Sequence, residues 1–364
     1  MRRYEIDWIR NISILMLFVY HTCAIFCQFG DFYIISQEKN LFADVIILLL
    51  FTWYMPMLFF LAGASTYFSF ENRSMKEYIV ERVKKLLVPL LFGIVFLVPP
   101  QTYLARVWRG ESNLNYFSHL KFFFTNLTDF TGFDGAFSPA HLWFIFYLFV
   151  VSIVGGIILF IIFKKEKGEK LIYFLKKPFQ YKYGFVFLIA LGMCSDLFPS
   201  IMGKSILGCL LIFLLGYIVY EDDMILQKLI NNRNKFLILL SIFAISGITY
   251  TLIFRPEEID LKLWTLDSFL KNGVLICAIC TVIGFSSIYL NKSNKLLKFL
   301  NKRTFSIYII HQPILLILAC IIMPLTKSTA MSIFLIIITS AILTFAIYEI
   351  LSQFKIFNLV LGVK

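Results

Sequence analysis

Two residues of the first apolar segment have the types and spacing needed to bind phosphate and to move protons. Arg10, which follows Asp7, is separated by ten residues from His21. In a helix these positions span about three turns, so Arg10 and His21 share one face about 16 Å apart. A guanidinium can bind a phosphate through two parallel hydrogen bonds, and a neutral imidazole can take the proton of a hydroxyl group. The alternatives are a positively charged surface anchor for Arg10 and a helix–helix hydrogen bond for His21.

A second motif, Ser306-Ile307-Tyr308-Ile309-Ile310-His311-Gln312-Pro313, opens a later apolar segment. Tyr308 and His311 are three residues apart and therefore share a helix face. Pro313 has no amide hydrogen, so the helix backbone can deviate there. The motif is a candidate site for polar chemistry, and hydrogen bonding between helices is the alternative.

A third motif, Ser138-Pro139-Ala140-His141-Leu142-Trp143-Phe144, stands where another apolar segment begins. His141 is a candidate for facing an external substrate, while Trp143 is equally typical of an interfacial aromatic anchor. His119 precedes this motif in the long segment between apolar runs, roughly 107–138, and we expect it on the solvated surface. Arg82, Lys84 and Lys85 precede Leu-Leu-Val-Pro and could bind an anion or act only as a topology signal.

The composition indicates that membrane helices carry these motifs. Of the 364 residues, 59% are hydrophobic and 15% are charged, whereas a soluble domain is nearer 45–50% apolar and about 25% charged. The apolar runs are long enough to cross a hydrocarbon layer. The sequence predicts an all-α polytopic membrane bundle of about ten helices. The predicted spans are 8–29, 42–70, 86–106, 139–163, 183–199, 203–220, 236–254, 270–290, 304–324 and 328–354.

The basic residues predict the orientation of this bundle in the membrane. When the segments between spans are numbered alternately, one side holds 25 of the 34 Lys and Arg residues and the other side holds nine. Basic residues accumulate on the cytoplasmic side of membrane proteins, so we expect both termini there. The accumulation of basic residues on one side of the lipid bilayer therefore explains the net charge of +12, and no nucleic-acid partner is needed.

The sequence contains no pattern that indicates a metal site, an exterior disulfide or a repeat. The four histidines are scattered, so we expect no metal site, and none of the seven cysteines belongs to an exterior disulfide pattern. Neither a repeat of fixed period nor a low-complexity tract is visible. We expect residues 1–364 to form a single integral-membrane domain with no appended soluble domain.

At these motifs the sequence resembles acyltransferase family three, a family of membrane-bound acyltransferases. The matching residues are Asp7, Trp8, Arg10 and His21; Pro56, Phe59, Phe60, Leu61 and Gly63; Arg82 and Lys85; and Ser306, Tyr308, His311 and Pro313. His-Leu-Trp-Phe at 141–144 and the ending around Tyr348-Glu349 are most like the branch that contains glucan-biosynthesis protein C. Two positions depart from the family: Lys85 replaces a common Arg, and Ala62 replaces a common Ser.

The resemblance implies an O-acyltransferase that moves an acetyl or succinyl group from cytoplasmic acyl-coenzyme A to a hydroxyl of an extracytoplasmic or cell-envelope carbohydrate. It implies a multi-pass protein of a bacterial-type cytoplasmic (inner) membrane, with no permanently bound cofactor. The alternatives are a transporter or flippase for a lipid-linked or small anionic substrate, and a non-catalytic subunit of an envelope complex. The oligomeric state stays open, with a homodimer as one arrangement.

The resemblance also implies roles for individual residues. The phosphates of acyl-coenzyme A would meet Arg10, Arg82 and Lys85. His21 would be the general base on a sugar hydroxyl or a relay that moves the acyl group across the membrane, with Arg10 sharing its helix face. Tyr308 and His311 would orient the acceptor or stabilise the oxyanion. The expected acceptor-binding residues are His141, Trp143 and Ser306.

Overall fold

The protein is helical throughout nearly all of its described length. A computed structural model describes residues 3–111, 115–164, 169–181, 183–254 and 261–362. It is 81% helical, and the predicted all-α class of membrane protein is confirmed. A hairpin of two short strands interrupts the helices.

The helices of the first half of the chain are numbered in chain order. They are α1 (Tyr4–Phe26), α2 (Leu41–Phe51), α3 (Tyr54–Asn72), α4 (Met75–Arg82), α5 (Val88–Phe96), α6 (Val98–Trp108), α7 (Tyr116–Thr125), α8 (Trp143–Leu159) and α9 (Glu169–Gln180). A π-helical turn at Val83–Leu87 joins α4 to α5, and another at Phe160–Lys164 extends α8. A 3₁₀ turn at Ala140–Leu142 leads into α8.

The second half begins with one more helix and then the hairpin of β1 (Ser200–Ile201) and β2 (Lys204–Ser205). The helices are α10 (Gly184–Asp196), α11 (Ile206–Glu221), α12 (Asp223–Asn231), α13 (Arg233–Phe254), α14 (Leu261–Tyr289), α15 (Lys295–Asn301), α16 (Thr304–Ile322), α17 (Thr329–Leu351) and α18 (Lys355–Val360). A 3₁₀ turn at Met323–Leu325 follows α16. The strands pair antiparallel, with Ser200 opposite Ser205.

Eight segments of the described chain are long and apolar enough to cross a membrane. They are Tyr4–Phe26, Leu41–Asn72, Met75–Trp108, Ala140–Phe163, Arg233–Ile253, Leu261–Tyr289, Thr304–Leu325 and Thr329–Leu351. The fifth and sixth predicted spans correspond to α10 and α11, which are apolar but shorter. The protein is thus a multi-pass membrane protein, while the count of ten spans and the position of the termini stay predictions.

Some of the basic residues counted in the orientation prediction lie outside the described residues. They are Arg2, Lys165, Lys167, Lys182, Arg255 and Lys364.

Proline determines where two of the long segments bend. The break between α2 and α3 lies just before Pro56, and the break between α5 and α6 lies at Leu97, just before Pro99 and Pro100. Proline is tolerated in the first turn of a helix, where its missing amide hydrogen has no helical partner. Pro99 and Pro100 therefore bend the third predicted span, 86–106, without ending it, because they begin α6 and the helix continues to Trp108.

The chain divides into two compact units that interleave along the sequence. The first unit comprises Met1–Arg10, Leu48–Arg82 and Tyr147–Ser293. Within it α3 packs along α11, and α14 packs against α10, α12 and α13. A Cβ atom added at Gly63 would lie 1.8 Å from the Phe213 carbonyl oxygen, and one at Gly216 would lie 1.9 Å from that of Phe60. Glycine at both positions allows the two backbones to touch.

The second unit comprises Asn11–Ile47, Val83–Phe146 and Asn294–Lys364. Within it α16 packs against α6 and α17, and the 3₁₀ turn at Ala140–Leu142 packs against α5. The buried core of α16 includes the Tyr308 and His311 side chains. This unit contains all four histidines of the protein.

Candidate active site

In the first unit, Arg10 is oriented by side chains from two helices. Its Nη1 donates to Asp7 Oδ1 at 3.3 Å, one turn earlier on α1. Its Nη2 donates to the hydroxyl of Ser65 on α3 at 3.0 Å. Because the Ser65 hydroxyl donates in turn to the Leu61 carbonyl at 2.7 Å, its lone pair is directed at Arg10. The Arg10 side chain remains 40% exposed, so an anion can approach an oriented fork.

Arg82, the second predicted phosphate ligand of the first unit, stacks on an aromatic ring. Its guanidinium carbon lies 4.7 Å from the centre of the Tyr78 ring, which is fully buried. The Tyr78 hydroxyl donates to the Ser152 carbonyl at 3.2 Å and lies 3.0 Å from the Thr66 hydroxyl. Arg82 Nε is buried and has no hydrogen-bond partner among the described residues. The third predicted ligand, Lys85, belongs to the second unit, in the π-helical turn.

In the second unit, three histidines that are far apart in sequence form one cluster. His21 comes from α1, His141 from the 3₁₀ turn and His311 from α16. The ring centre of His311 lies 5.3 Å from that of His21, with the rings stacked, and 5.3 Å from that of His141, with the rings perpendicular. We call these three residues the histidine cluster. Within the described residues no group of three or more His, Cys, Asp or Glu is arranged to hold a metal ion.

Hydrogen bonds assign the tautomer of His311. Its Nδ1 lies 2.7 Å from the Tyr308 carbonyl oxygen, which can only accept, so Nδ1 carries the proton. Nε2 then keeps a lone pair, and this atom is buried without a hydrogen-bond partner in the described part of the chain. The same is true of His21 Nδ1. The cluster thus contains two ring nitrogens that can interact with a bound molecule.

His141 differs from the other two because both of its ring nitrogens face protein groups. Nε2 donates to the Ile309 carbonyl at 2.9 Å, and Nδ1 lies 3.4 Å from the Gln101 amide nitrogen. The Tyr308 hydroxyl donates to the backbone carbonyl of His141. His141 is only 5% exposed. The ring is therefore turned into the protein, contrary to the expectation that it faces an external substrate.

Aromatic side chains surround the histidine cluster. The Phe32 ring stacks on His21 with centres 5.6 Å apart, and Phe18 meets His311 edge-on at 5.7 Å. Phe144 meets the Tyr308 ring edge-on at 5.8 Å. Few water dipoles can screen charge in such surroundings, so a hydrogen bond made there is stronger than one made in water.

Two further predicted site residues lie in different surroundings. The Ser306 hydroxyl is buried and donates to the Leu361 carbonyl near the end of the chain at 2.9 Å. Trp143 is half-buried and meets the Phe144 ring edge-on at 6.3 Å. Ser306 thus joins α16 to the segment after α18, while Trp143 keeps part of its indole accessible.

His119 lies inside the protein, so the expectation of a solvated residue is wrong. It is fully buried, and its Nε2 lies 3.1 Å from the Pro99 carbonyl and 3.0 Å from the Thr102 hydroxyl. Burial lowers the pKa of His119, because the charged ring would lose its hydration. The spacing of His119 and Phe123, four residues apart, could have revealed this inward face.

Three residues that support the site were given no role by the sequence reasoning, although one of them, Ser138, belongs to the third motif. Ser65 contacts Arg10, and Gln101 contacts His141. Neither Ser65 nor Gln101 belongs to a motif identified in the sequence. Ser138 accepts from the Ala140 amide at 2.8 Å and donates to the Phe130 carbonyl at 2.6 Å. Ala140 (φ +49°) and Phe130 (φ +62°) both have left-handed backbones, which non-glycine residues rarely adopt. Ser138 thereby holds the turn that presents His141.

A comparison with protein families identifies the class of enzyme. The family model described as "Acyltransferase domain" matches residues 3–349, nearly the whole chain. The chain belongs to acyltransferase family 3. This family consists of membrane acyltransferases, so the chain is an acyltransferase of the membrane, and the predicted family and enzyme class are confirmed. The glucan-biosynthesis branch stays a prediction. No curated protein and no solved structure matched the chain.

Proposed function

We propose that this acyltransferase moves an acetyl or succinyl group from cytoplasmic acyl-coenzyme A to a hydroxyl group of an extracytoplasmic carbohydrate. The observation that carries the proposal is the histidine cluster, where His21 and His311 each have a buried ring nitrogen with no partner among the described residues, in aromatic surroundings. A sugar hydroxyl is a weak nucleophile at neutral pH, and a positioned base accelerates its attack by about 10²–10⁴-fold. Two neutral imidazoles meet that requirement.

The reaction needs one proton to move in two steps. The sugar oxygen attacks the thioester carbonyl while its proton passes to His21 or His311. The carbon–oxygen bond forms, the carbon–sulfur bond breaks, and the imidazolium returns the proton to the coenzyme A sulfur. With its proton on Nδ1, His311 can accept a hydrogen bond from the acceptor hydroxyl through Nε2. That tautomer favours a role in orienting the acceptor over one in donating to an oxyanion.

The donor-binding residues are proposed from charge and accessibility. Arg10 has a half-exposed side chain whose guanidinium is held by Asp7 and Ser65, and Arg82 offers a second guanidinium stacked on Tyr78. Two oriented guanidinium groups suit the phosphates of coenzyme A. Lys85 is proposed as a third ligand, and as a point charge it provides less geometric selection than an arginine.

On the acceptor side, Trp143 is the best-supported of the predicted residues. Part of its indole is accessible, and sugars stack on aromatic rings through their C–H faces. Ser306 and His141 were also predicted to bind the acceptor. Because their polar atoms contact protein groups, we propose instead that they hold α16 in position. Tyr308 is proposed to act with His311 on the acceptor.

The proposed orientation follows from the uneven distribution of basic residues in the sequence, and the proposed type of membrane follows from the family resemblance. We infer a bacterial-type cytoplasmic membrane with both termini inside, and we expect residues 1–364 to act as one acyltransferase domain. The basic side of the protein then faces the compartment that contains acyl-coenzyme A. A homodimer is compatible with this arrangement.

Thioester consumption tests the proposal against a transporter or a scaffold. The purified protein is supplied with acetyl-coenzyme A or succinyl-coenzyme A, and the released thiol is measured with and without an added glycan. We expect release that rises with the glycan and is lost in His21→Ala, together with an acylated glycan in mass spectrometry. A transporter or scaffold consumes neither thioester, so the absence of release from both donors would overturn the proposal.

A further inference from the structure

Pro313 leaves one carbonyl of α16 without its helical donor. In a helix the amide of residue 313 donates to the carbonyl of residue 309, but proline has no amide hydrogen. Ile309 is fully buried, and a buried polar group without a partner is destabilising. A donor from elsewhere in the protein is therefore needed at this point.

His141 supplies that donor. Its Nε2–H points to the Ile309 carbonyl oxygen at 2.9 Å, in the place where the missing amide hydrogen would act. In the opposite direction, the Tyr308 hydroxyl donates to the backbone carbonyl of His141. The two bonds join the 3₁₀ turn to α16 at consecutive residues of the helix, two and three residues before His311.

The His141 ring is itself held from two sides. The Gln101 amide nitrogen lies 3.4 Å from Nδ1, which suits the neutral tautomer with its proton on Nε2. Ser138 holds the left-handed backbone of Ala140, the residue before His141. A left-handed backbone conformation costs energy in a non-glycine residue and persists only where the surrounding structure enforces it. The placement of His141 is thus enforced by at least two neighbouring groups.

The geometry points to His141 as a positioning residue for His311: it replaces the amide hydrogen that Pro313 lacks and so fixes the turn of α16 that carries His311. This inference rests on the proposed function, in which His311 acts on the acceptor. It excludes the direct acceptor contact predicted for His141, because Nε2 is committed to a carbonyl and Nδ1 faces Gln101. The perpendicular His311 ring, 5.3 Å away, keeps its Nε2 available.

Substitution by glutamine separates positioning from direct chemistry. The glutamine amide nitrogen reaches about as far as histidine Nε2 and can donate to Ile309, but it cannot take a proton. We expect His141→Ala to lower kcat by about 10–100-fold with an unchanged KM for the donor, and His141→Gln to remain within a few-fold of wild type. The pH profile of His141→Gln should match that of wild type. A glutamine variant as inactive as the alanine variant would overturn the inference.

A double variant tests the replacement of the amide hydrogen itself. Pro313→Ala provides an amide that can donate to Ile309, so His141→Ala should lose less activity in the Pro313→Ala background than in wild type. The same coupling should appear in Tm, which does not depend on catalysis. Additive losses in both Tm and kcat would overturn the inference. If wild type consumes no thioester, the proposed function fails, and non-additive Tm values still measure the 141–313 coupling.

Discussion

At the scale of single residues, the histidine cluster is notable for polar atoms that lack partners. His311 Nε2 and His21 Nδ1 are buried without hydrogen bonds among the described residues, although buried polar groups are normally satisfied. Such atoms are destabilising unless a bound molecule uses them. We interpret them as the atoms that receive the acceptor hydroxyl and its proton.

Replacement of the two histidines should show that they act as a unit. We expect His21→Ala and His311→Ala each to lower kcat by about 10²–10⁴-fold, because each removes part of one proton path. The double variant should be little worse than either single variant, since residues of one catalytic unit are not additive. Transfer rates with purified protein check this, and a Tm near that of wild type shows that folding is retained.

The matched control is His119→Gln, which removes another buried histidine of the same unit. Its ring contacts Pro99 and Thr102 rather than the cluster. We expect its kcat to stay near wild type. A loss as large as that of His311→Ala would mean that transfer responds to any buried histidine and would contradict the assignment.

The orientation of Arg10 should matter for donor binding. Arg10→Lys replaces a fork with a point charge, and Ser65→Ala removes one of the groups that orient the fork. We expect KM for acyl-coenzyme A to rise about tenfold in Arg10→Lys and a few-fold in Ser65→Ala, with little change in kcat. Kinetics at varied donor concentration measure both.

Arg73→Lys is the control for donor binding, since Arg73 is a basic residue of the same unit that pairs with Glu81. It should leave KM unchanged. An equal rise in KM for Arg73→Lys would indicate that general positive charge, and not the oriented guanidinium of Arg10, attracts the donor.

At the scale of elements, the contact between α3 and α11 depends on two glycines. Gly63→Ala places a Cβ atom 1.8 Å from the Phe213 backbone, which cannot yield without separating the helices. We expect a loss of about 1–3 kcal/mol in stability, seen as a lower Tm in detergent. The control is Gly247→Ala on α13, where nothing lies within 4 Å of the added atom. An equal fall in Tm for both variants would contradict the close-contact explanation.

The attachment of α7 to α6 should depend on pH through His119. Burial lowers the pKa of His119 below its ordinary value of 6.5, and the opposing charges of Arg106 and Glu111 face it. The unfolded segment therefore binds a proton more readily than the folded one, and stability is complete above pH 6.5 and falls as pH drops below it. Intrinsic exchange slows as pH falls, so the measured quantity is protection: the protection factors of residues 116–125 should decrease from pH 7.5 to pH 5.

His119→Gln provides the comparison for this measurement, because glutamine does not titrate. Its exchange should show no extra acid dependence. The same acid dependence in the glutamine variant would assign the effect to another group.

At the scale of the whole molecule, we expect the side that holds most of the basic residues to face the cytoplasm and the proposed donor. Cysteines introduced at Lys295 on α15 and at Lys121 on α7, both exposed, report the two sides in a background without the native cysteines. In intact cells we expect the cysteine at 295 to react only with permeant thiol reagents and the one at 121 with impermeant reagents as well. The reverse pattern would overturn the orientation and the cytoplasmic donor together.

The sequence predicted much of the fold because hydropathy and helical period are local properties. The first helix was predicted at 8–29 and observed at Tyr4–Phe26, so Arg10 and His21 lie on one continuous helix. The segments around α10 and α11 were harder, because short apolar helices and a hairpin leave weak signals. The third predicted span, 86–106, continues through the bend before Pro99, since proline can start a helix as well as end one.

What the sequence determined by itself is the membrane class, the positions of most spans and the residue types available for chemistry, since each depends on neighbours within about 20 residues. Only the tertiary structure decided which of these residues meet. His21, His141 and His311 come together from parts of the chain that are distant in sequence. His141 donates to the Ile309 carbonyl, which lacks its helical donor because of Pro313, 172 positions after His141. The burial of His119 arose in the same way. Such contacts depend on how helices pack, and packing is a property of surfaces brought together rather than of any single segment.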